Sequence, residues 1–252
     1  MKRPIQRRFD RAGATYEAAA QAQRLVAARL AALCPATLGA PVLEIGAGSG
    51  LLTRALLPRT RGPYVALDLA PGMLAHAAMP GARKVAADGE RPPFRDGAFD
   101  FLASASAMHW YAEPAASIPA DLRLVRPGGG FAIALYVEGT LAELAEAAAA
   151  TGFGSVYPMR PAAFYRELFA GVPAIEWSME EARQVVTHES VPTLLRSLKG
   201  AGVTYTEGRR AGSPARYREF RKYYAERFGT VEGMPASYAV LYCRGRRTGD
   251  TG

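Results

Sequence analysis

The chain has 252 residues and a mass of 26.9 kDa, enough for one large α/β domain. It is 49% hydrophobic and 21% charged, which excludes wholesale disorder, and no apolar run reaches the ~18 residues of a membrane span. The net charge of +8 is uneven: residues 1–30 hold seven Lys/Arg against two Asp/Glu, residues 31–150 nine against eleven, and residues 151–252 fifteen against ten. Basic flanks around a mildly acidic middle favour an acidic partner, with nucleic acid, anionic lipid and an acidic carrier protein all open on charge alone. Residues 1–8 lead into no apolar core, so no secretory signal is expected. The two cysteines, Cys34 and Cys243, supply neither a disulfide framework nor a metal motif, as expected of a reduced cytoplasmic protein.

In chain order, residues 5–33 carry apolar positions at helical spacing, closed by Pro35. Val42–Ile45 reads as a strand, 51–57 as a helix, Tyr64–Leu67 as a second strand and 71–78 as a helix. Strands at 83–87 and 99–103, a helix at 114–125, a turn at Arg126–Gly130 and a fifth strand at 131–137 follow. Strands alternating with helices at this spacing predict a parallel sheet covered on both faces. Beyond it, 140–150, 191–199 and 214–228 read as helices, 172–177 and 184–188 as extended, and 238–243 as the last strand. The organisation predicted is a single domain over 1–243. It comprises a lid helix at 1–36, a core at 40–136, an insertion at 138–232 and a last strand at 235–243, with 244–252 as a flexible tail.

The sharpest motif is Val42-Leu43-Glu44-Ile45-Gly46-Ala47-Gly48-Ser49-Gly50, a strand entering a glycine loop. Glycines belong where a turn needs positive φ and a ligand approaches the backbone. The spacing is G-x-G-x-G rather than the G-x-G-x-x-G of dinucleotide folds, and Glu44 precedes it. A carboxylate there repels a pyrophosphate and suits a cofactor bearing an ammonium and a sulfonium. Asp68, ending the second strand, is placed to accept from two ribose hydroxyls, and Asp88, ending the third, from an adenine amino group.

Together with Phe99-Asp100 and Leu124-Val125-Arg126-Pro127-Gly128-Gly129, these motifs resemble the class I S-adenosylmethionine-dependent methyltransferases over about residues 40–136. That resemblance implies a Rossmann-like, seven-stranded sheet, mostly parallel with an antiparallel last strand, with helices on both faces and a helical lid. It implies S-adenosylmethionine as cofactor. The acceptor motifs of nucleic-acid methylation are absent: no Asn/Asp-Pro-Pro-aromatic loop follows the fourth strand, and neither cysteine is placed as a nucleophile. No oxygen-ligand cluster for a metal is found.

The flanks narrow the match. Phe9-Asp10-Arg11-Ala12 with Tyr16-Glu17 and Gln23-Arg24, then Gly139-Thr140-Leu141-Ala142-Glu143-Leu144, Ser197–Thr204 (S-L-K-G-A-G-V-T) and Pro235-Ala236-Ser237-Tyr238 are similar to the malonyl-[acyl-carrier protein] O-methyltransferases of biotin synthesis. After the fourth strand the chain departs from that family, with Ala105 where Asn and His109 where Gln are usual, while Trp110 is kept. The resemblance implies methylation of a malonyl carboxylate on an acidic carrier protein, without nucleic acid, membrane or metal. A small free acid such as trans-aconitate is the alternative acceptor, and a non-catalytic cofactor-binding protein of this fold is the third reading. The implied cofactor contacts are Tyr16, Gln23, Glu44, Gly46, Ala47, Gly48, Gly50, Asp68, Leu69, Met73, Asp88, Gly89 and Ser104. The implied acceptor contacts are Tyr16, His109, Trp110, Lys199, Arg209 and Arg210, the last three as candidate cations for the substrate carboxylate. A carboxylate is ionised at neutral pH, so the reaction needs no general base.

Overall fold

The computed structural model describes residues 6, 7, 9, 10, 16–202 and 213–249. Its elements are α1 (Tyr16–Ala19), α2 (Gln21–Leu33), β1 (Val42–Ile45), α3 (Thr53–Leu56), β2 (Tyr64–Asp68), α4 (Pro71–His76), β3 (Arg83–Ala86) and β4 (Phe99–Ala105). They continue with α5 (Pro114–Arg123), β5 (Val125–Tyr136), α6 (Ala142–Thr151), α7 (Ala162–Ala170), β6 (Ile175–His188), α8 (Val191–Gly200), α9 (Pro214–Phe228) and β7 (Met234–Arg247).

The strands form one seven-stranded sheet in the order β3-β2-β1-β4-β5-β7-β6. β1 to β5 pair in parallel, and β7 runs antiparallel to both its neighbours, β5 and β6. Alternation along fully buried strands feeds two cores. Val42 belongs to one core with Val26 and Leu30 of α2, Leu194 and Leu198 of α8, and Phe220 and Tyr224 of α9. Leu43 and Ile45 face the opposite layer, with Ile118 and Leu122 of α5 and Tyr165 and Phe169 of α7. The sheet order reverses its growth at β1, flanked by β2 and β4, and in open α/β sheets a crevice opens at the carboxyl ends of strands at such a switch point.

Several expectations are corrected. The turn expected at Arg126–Gly130 lies inside β5, as an irregularity where the pairing with β4 shifts between Phe99 and Phe101. Two hydrogen bonds from the Arg126 guanidinium to the Asp100 carboxylate hold it to the neighbouring strand. The two extended pieces expected at 172–177 and 184–188 are one strand, β6, whose alternating half-buried and exposed residues mark a sheet edge. The 138–232 segment is therefore part of the sheet as well as its cover. Residues 244–247, expected to fray with the rest of 244–252, extend β7, where Arg246 pairs with Glu176. The helix α7 and a short 3-10 turn at Met108–Trp110 were not anticipated.

Candidate active site

β1 ends on two buried residues, Glu44 and Ile45, and the chain turns through Gly46 (φ +76°) and Gly48 (φ +54°). Gly46 is required by its surroundings as well as by its backbone. A Cβ at Gly46 would sit 2.1 Å from that of Ala107, in the loop after β4, so the two loops that frame the crevice touch there. The Gly48 N–H donates to Oδ2 of Asp68 at 2.8 Å, and the Ala70 N–H donates to Oδ1 at 2.8 Å. Asp68 is thus fixed against the glycine loop by backbone amides, which favour its ionised form, while burial pushes its carboxyl above the usual range.

Glu44 is 1% exposed and accepts hydrogen bonds from the Thr53 and Tyr64 hydroxyls, both at 2.6 Å. Burial raises its carboxyl to about 7, against the pull of those two donors. At the far end of the crevice, Asp88 Oδ1 accepts from the Glu90 N–H at 3.0 Å. Glu90 in turn accepts from the Ala112 and Glu113 amides at the start of α5 and from the Ser117 hydroxyl. The Tyr111 hydroxyl donates to Asp121 at 2.8 Å, and burial raises that carboxyl to about 8.

These groups line one cleft of about 1010 Å³, open solvent at its mouth included, of the size that takes a nucleoside-bearing ligand. The described lining residues include the carboxylates Glu44, Asp68, Asp88 and Glu90, and no Lys, Arg or His. The Ser49 hydroxyl, on the same wall, is buried without a partner. Acids at the ends of three successive strands, a backbone loop opened by glycines and an orphaned hydroxyl fit a cationic, ribose-bearing cofactor such as S-adenosylmethionine.

Of the residues expected at the cofactor, Tyr16, Gln23, Glu44, Gly46, Ala47, Gly48, Asp68, Leu69, Met73, Asp88 and Gly89 all line the cleft. Two do not. Gly50 closes the loop, its N–H donating to the Ala47 carbonyl at 2.8 Å, and lies against Met79. Ser104 is fully buried in β4, and the cleft wall is made by Ala105, Ser106 and Ala107 beyond it. Of the expected acceptor contacts, Tyr16 and Trp110 line the cleft. His109 lies behind the wall, its ring 4.9 Å from Tyr136 and 5.1 Å from Trp110, and burial pulls its imidazole down to about 3, disfavouring the charged form. Lys199 is exposed on α8, away from the cleft lining, and Arg209 and Arg210 lie outside the described residues.

The S-L-K-G-A-G stretch, expected to bring Lys199 to the acceptor, packs instead against the N-terminal segment. The Ser197 hydroxyl donates to the Ala19 carbonyl at 3.0 Å, Gly200 faces the Ala19 side chain, and Gly202 faces the ring of Phe9. The stretch is a seat for the N-terminal segment, which Asp10 also ties down by accepting from the Gly72 N–H at 2.8 Å. Held there, Phe9 meets Tyr16 and Trp110 edge-on, each at 6.3 Å between ring centroids, and lines the cleft with them. Phe9, Glu90, Ser106 and Tyr111 are lining residues that sequence reasoning missed. Phe9 and Glu90 sit inside motifs it had already noticed, whereas Ser106 and Tyr111 carry no signal of their own.

Residues 43–133 match the family model described as a methyltransferase domain. The malonyl-[acyl-carrier protein] O-methyltransferase of Geobacter sulfurreducens is 33% identical over 98% of this chain and 99% of its own length. That of Dechloromonas aromatica is 32% identical over 98% and 95%. The biotin biosynthesis bifunctional protein BioCD of Bordetella avium is 37% identical over 80% of this chain, which spans only 44% of that longer protein. Among solved structures, the YcgJ protein of Bacillus subtilis superposes with a TM-score of 0.60 at 16% identity, covering 88% of this chain and 99% of that one, a likeness of fold. Near full-length similarity at this identity shows that the chain belongs to the malonyl-[acyl-carrier protein] O-methyltransferase family, and so to the S-adenosylmethionine-dependent methyltransferases.

Proposed function

We propose that the protein methylates the free carboxylate of a malonyl group carried as a thioester on acyl-carrier protein, a step in biotin synthesis. The acceptor rests on one observation, the similarity to malonyl-[acyl-carrier protein] O-methyltransferases over nearly the whole chain. The acid-lined cleft supports the cofactor half of the reading. There Asp68 would receive the ribose hydroxyls, Asp88 the adenine amino group and Glu44 the ammonium of the amino-acid tail, all three being lining residues. Bound there, S-adenosylmethionine supplies the methyl group.

What the protein itself must do is align and exclude water. The acceptor carboxylate arrives ionised, so no side chain has to remove a proton. Positioning alone can supply roughly 7–11 kcal/mol of the barrier. Trp110, Phe9 and Tyr16 form the apolar roof under which the acceptor is held, and Tyr16, its phenol pushed up by burial and by the charge of Asp68, stays a hydroxyl donor. Esterification removes the charge of the malonyl group, so the product carries an apolar end in place of an anion.

Incubation of malonyl-acyl-carrier protein with the enzyme and S-adenosylmethionine, followed by mass spectrometry, tests the reading. The expected result is a gain of one methylene mass on the acyl group. A gain only on free dicarboxylic or tricarboxylic acids would overturn it.

A further inference from the structure

At the carboxyl ends of β4 and β5 three buried polar groups lie together: Oγ of Ser106 and the hydroxyl of Tyr136, which adjoin each other, and Nδ1 of His109, which has no hydrogen-bond partner. A buried polar atom left unpaired costs about 1–3 kcal/mol, and two hydroxyls that pair with each other still leave one O–H hydrogen without an acceptor, so the cluster has a donor to spare. Ser106 lines the cleft. It is also one of the described non-glycine residues with a left-handed backbone (φ +56°), its N–H held by the Ala134 carbonyl at 3.0 Å. Such a conformation persists where the surroundings impose it, and it aims a side chain that an extended backbone would turn elsewhere. Tyr136 stands directly behind, its hydroxyl next to that of Ser106 and its ring fixed between His109 at 4.9 Å and Tyr238 at 5.6 Å. Burial holds the Tyr136 phenol protonated and the His109 imidazole neutral, so the cluster contains hydroxyls and no charge.

The cluster adjoins the side of the cleft formed by Trp110 and Ala105–Ala107, and Tyr16 is near enough to Tyr136 to influence its ionisation. The described lining offers an incoming carboxylate no cation, yet a buried carboxylate needs donors. We propose that Ser106 is the residue that binds the carboxyl group to be methylated, donating its hydroxyl hydrogen to an acceptor oxygen, and that Tyr136 positions it by donating to Ser106 Oγ. This inference rests on the acceptor reading above. Neutral donors suit the chemistry. They orient the oxygen without neutralising the charge that makes it nucleophilic, and they still donate, more weakly, to the ester oxygen once the charge has gone. A buried Lys or Arg in their place would be left unpaired by its own product.

The test measures binding as well as turnover. With the protein saturated in S-adenosylhomocysteine, malonyl-pantetheine is titrated by calorimetry into wild type, Ser106→Ala, Ser106→Gly and Tyr136→Phe. Loss of one hydrogen bond to a charged group should weaken binding by about tenfold or more in both Ser106 variants. The glycine variant relieves the left-handed backbone, so an equal loss there assigns the effect to the hydroxyl and not to strain. Tyr136→Phe should weaken binding less, and should add nothing on top of Ser106→Ala, because it acts through that hydroxyl. S-adenosylhomocysteine affinity should stay within about twofold throughout, since the cofactor contacts are elsewhere. Unchanged malonyl-pantetheine affinity in the Ser106 variants, with loss in Arg209→Ala or Arg210→Ala, would overturn the proposal in favour of a cation. If wild type methylates a different free acid instead, the acceptor reading fails on its own. The same variants are then titrated with that acid, where unchanged affinity overturns the Ser106 subsite and a tenfold loss upholds it.

Discussion

Glu44 shows how one side chain carries both a structural and a chemical demand. It is buried at the end of β1, its carboxylate satisfied on one side by Thr53 and Tyr64 and its neighbourhood open to the cleft. Burial outweighs the two donors and sets its ionisation at about 7. This favours the protonated form below that pH, so the ammonium contact proposed for Glu44 requires the release of a proton. Affinity for S-adenosylhomocysteine should therefore fall by up to about tenfold for each pH unit below 7 and level off above it. Glu44→Gln keeps an acceptor for the hydroxyls and removes the charge. It should bind more weakly at pH 8 and lose the pH dependence, as read by calorimetry over pH 5.5 to 8. An unchanged slope in Glu44→Gln would place the titrating group elsewhere. For folding the sign is opposite: a carboxyl raised from about 4.3 costs the apo protein stability as pH rises from there through 7.

At the level of elements, the decisive contact is between α8 and the N-terminal segment. Ser190 caps α8 by accepting from the Thr193 N–H, and the helix ends in Gly200 and Gly202, against Ala19 and Phe9. A methyl group at Gly200 would lie 2.8 Å from the Ala19 Cβ, closer than packed carbons approach. Gly200→Ala should lift α1 and Phe9 from the cleft, weaken S-adenosylhomocysteine by about 1–3 kcal/mol, and leave the sheet intact. Affinity by calorimetry and melting temperature, measured together, check this; a large drop in melting temperature with unchanged affinity would show that the seat serves stability alone. The same contact explains what was legible beforehand. β1 to β4 and their acids could be read because buried strands and glycine loops are local patterns, each residue announcing its own conformation. The seat made by Ser197, Gly200 and Gly202 was visible as a motif, but its purpose depends on a partner about 180 residues away in the chain, as Ser197 to Ala19 shows. Ser104 against Ser106 failed for another reason. The side chains of a strand alternate, and only the left-handed turn at Ser106 decides which serine faces the cleft.

Over the whole molecule, charge is sorted by place. The cleft is lined by carboxylates, whereas α9 presents Arg216, Arg218, Arg221, Lys222 and Arg227, all exposed. Its amino end adjoins the loop after α6, where Gly152 faces Arg216 and Phe153 packs on Tyr217. That loop continues to Tyr157, whose ring lies 4.9 Å from Trp110 at the cleft wall. A path of contacts thus joins the basic helix to the site, and an acidic carrier docked on α9 would bring its acyl group toward Trp110. Exposed charges separated by more than about 8 Å are largely screened at physiological salt, while hydrogen bonds inside the cleft are not. Raising salt from about 0.05 to about 0.5 M should therefore increase KM for malonyl-acyl-carrier protein several-fold, chiefly through slower association, and leave kcat unchanged. Malonyl-pantetheine, which has no carrier, should show the same KM at both salts. Arg218→Glu combined with Arg221→Glu should reproduce the effect at low salt for the carrier substrate and spare the short one. Equal salt sensitivity of the two substrates would mean that the cations of α9 do not steer the carrier, and that the basic flanks have another task.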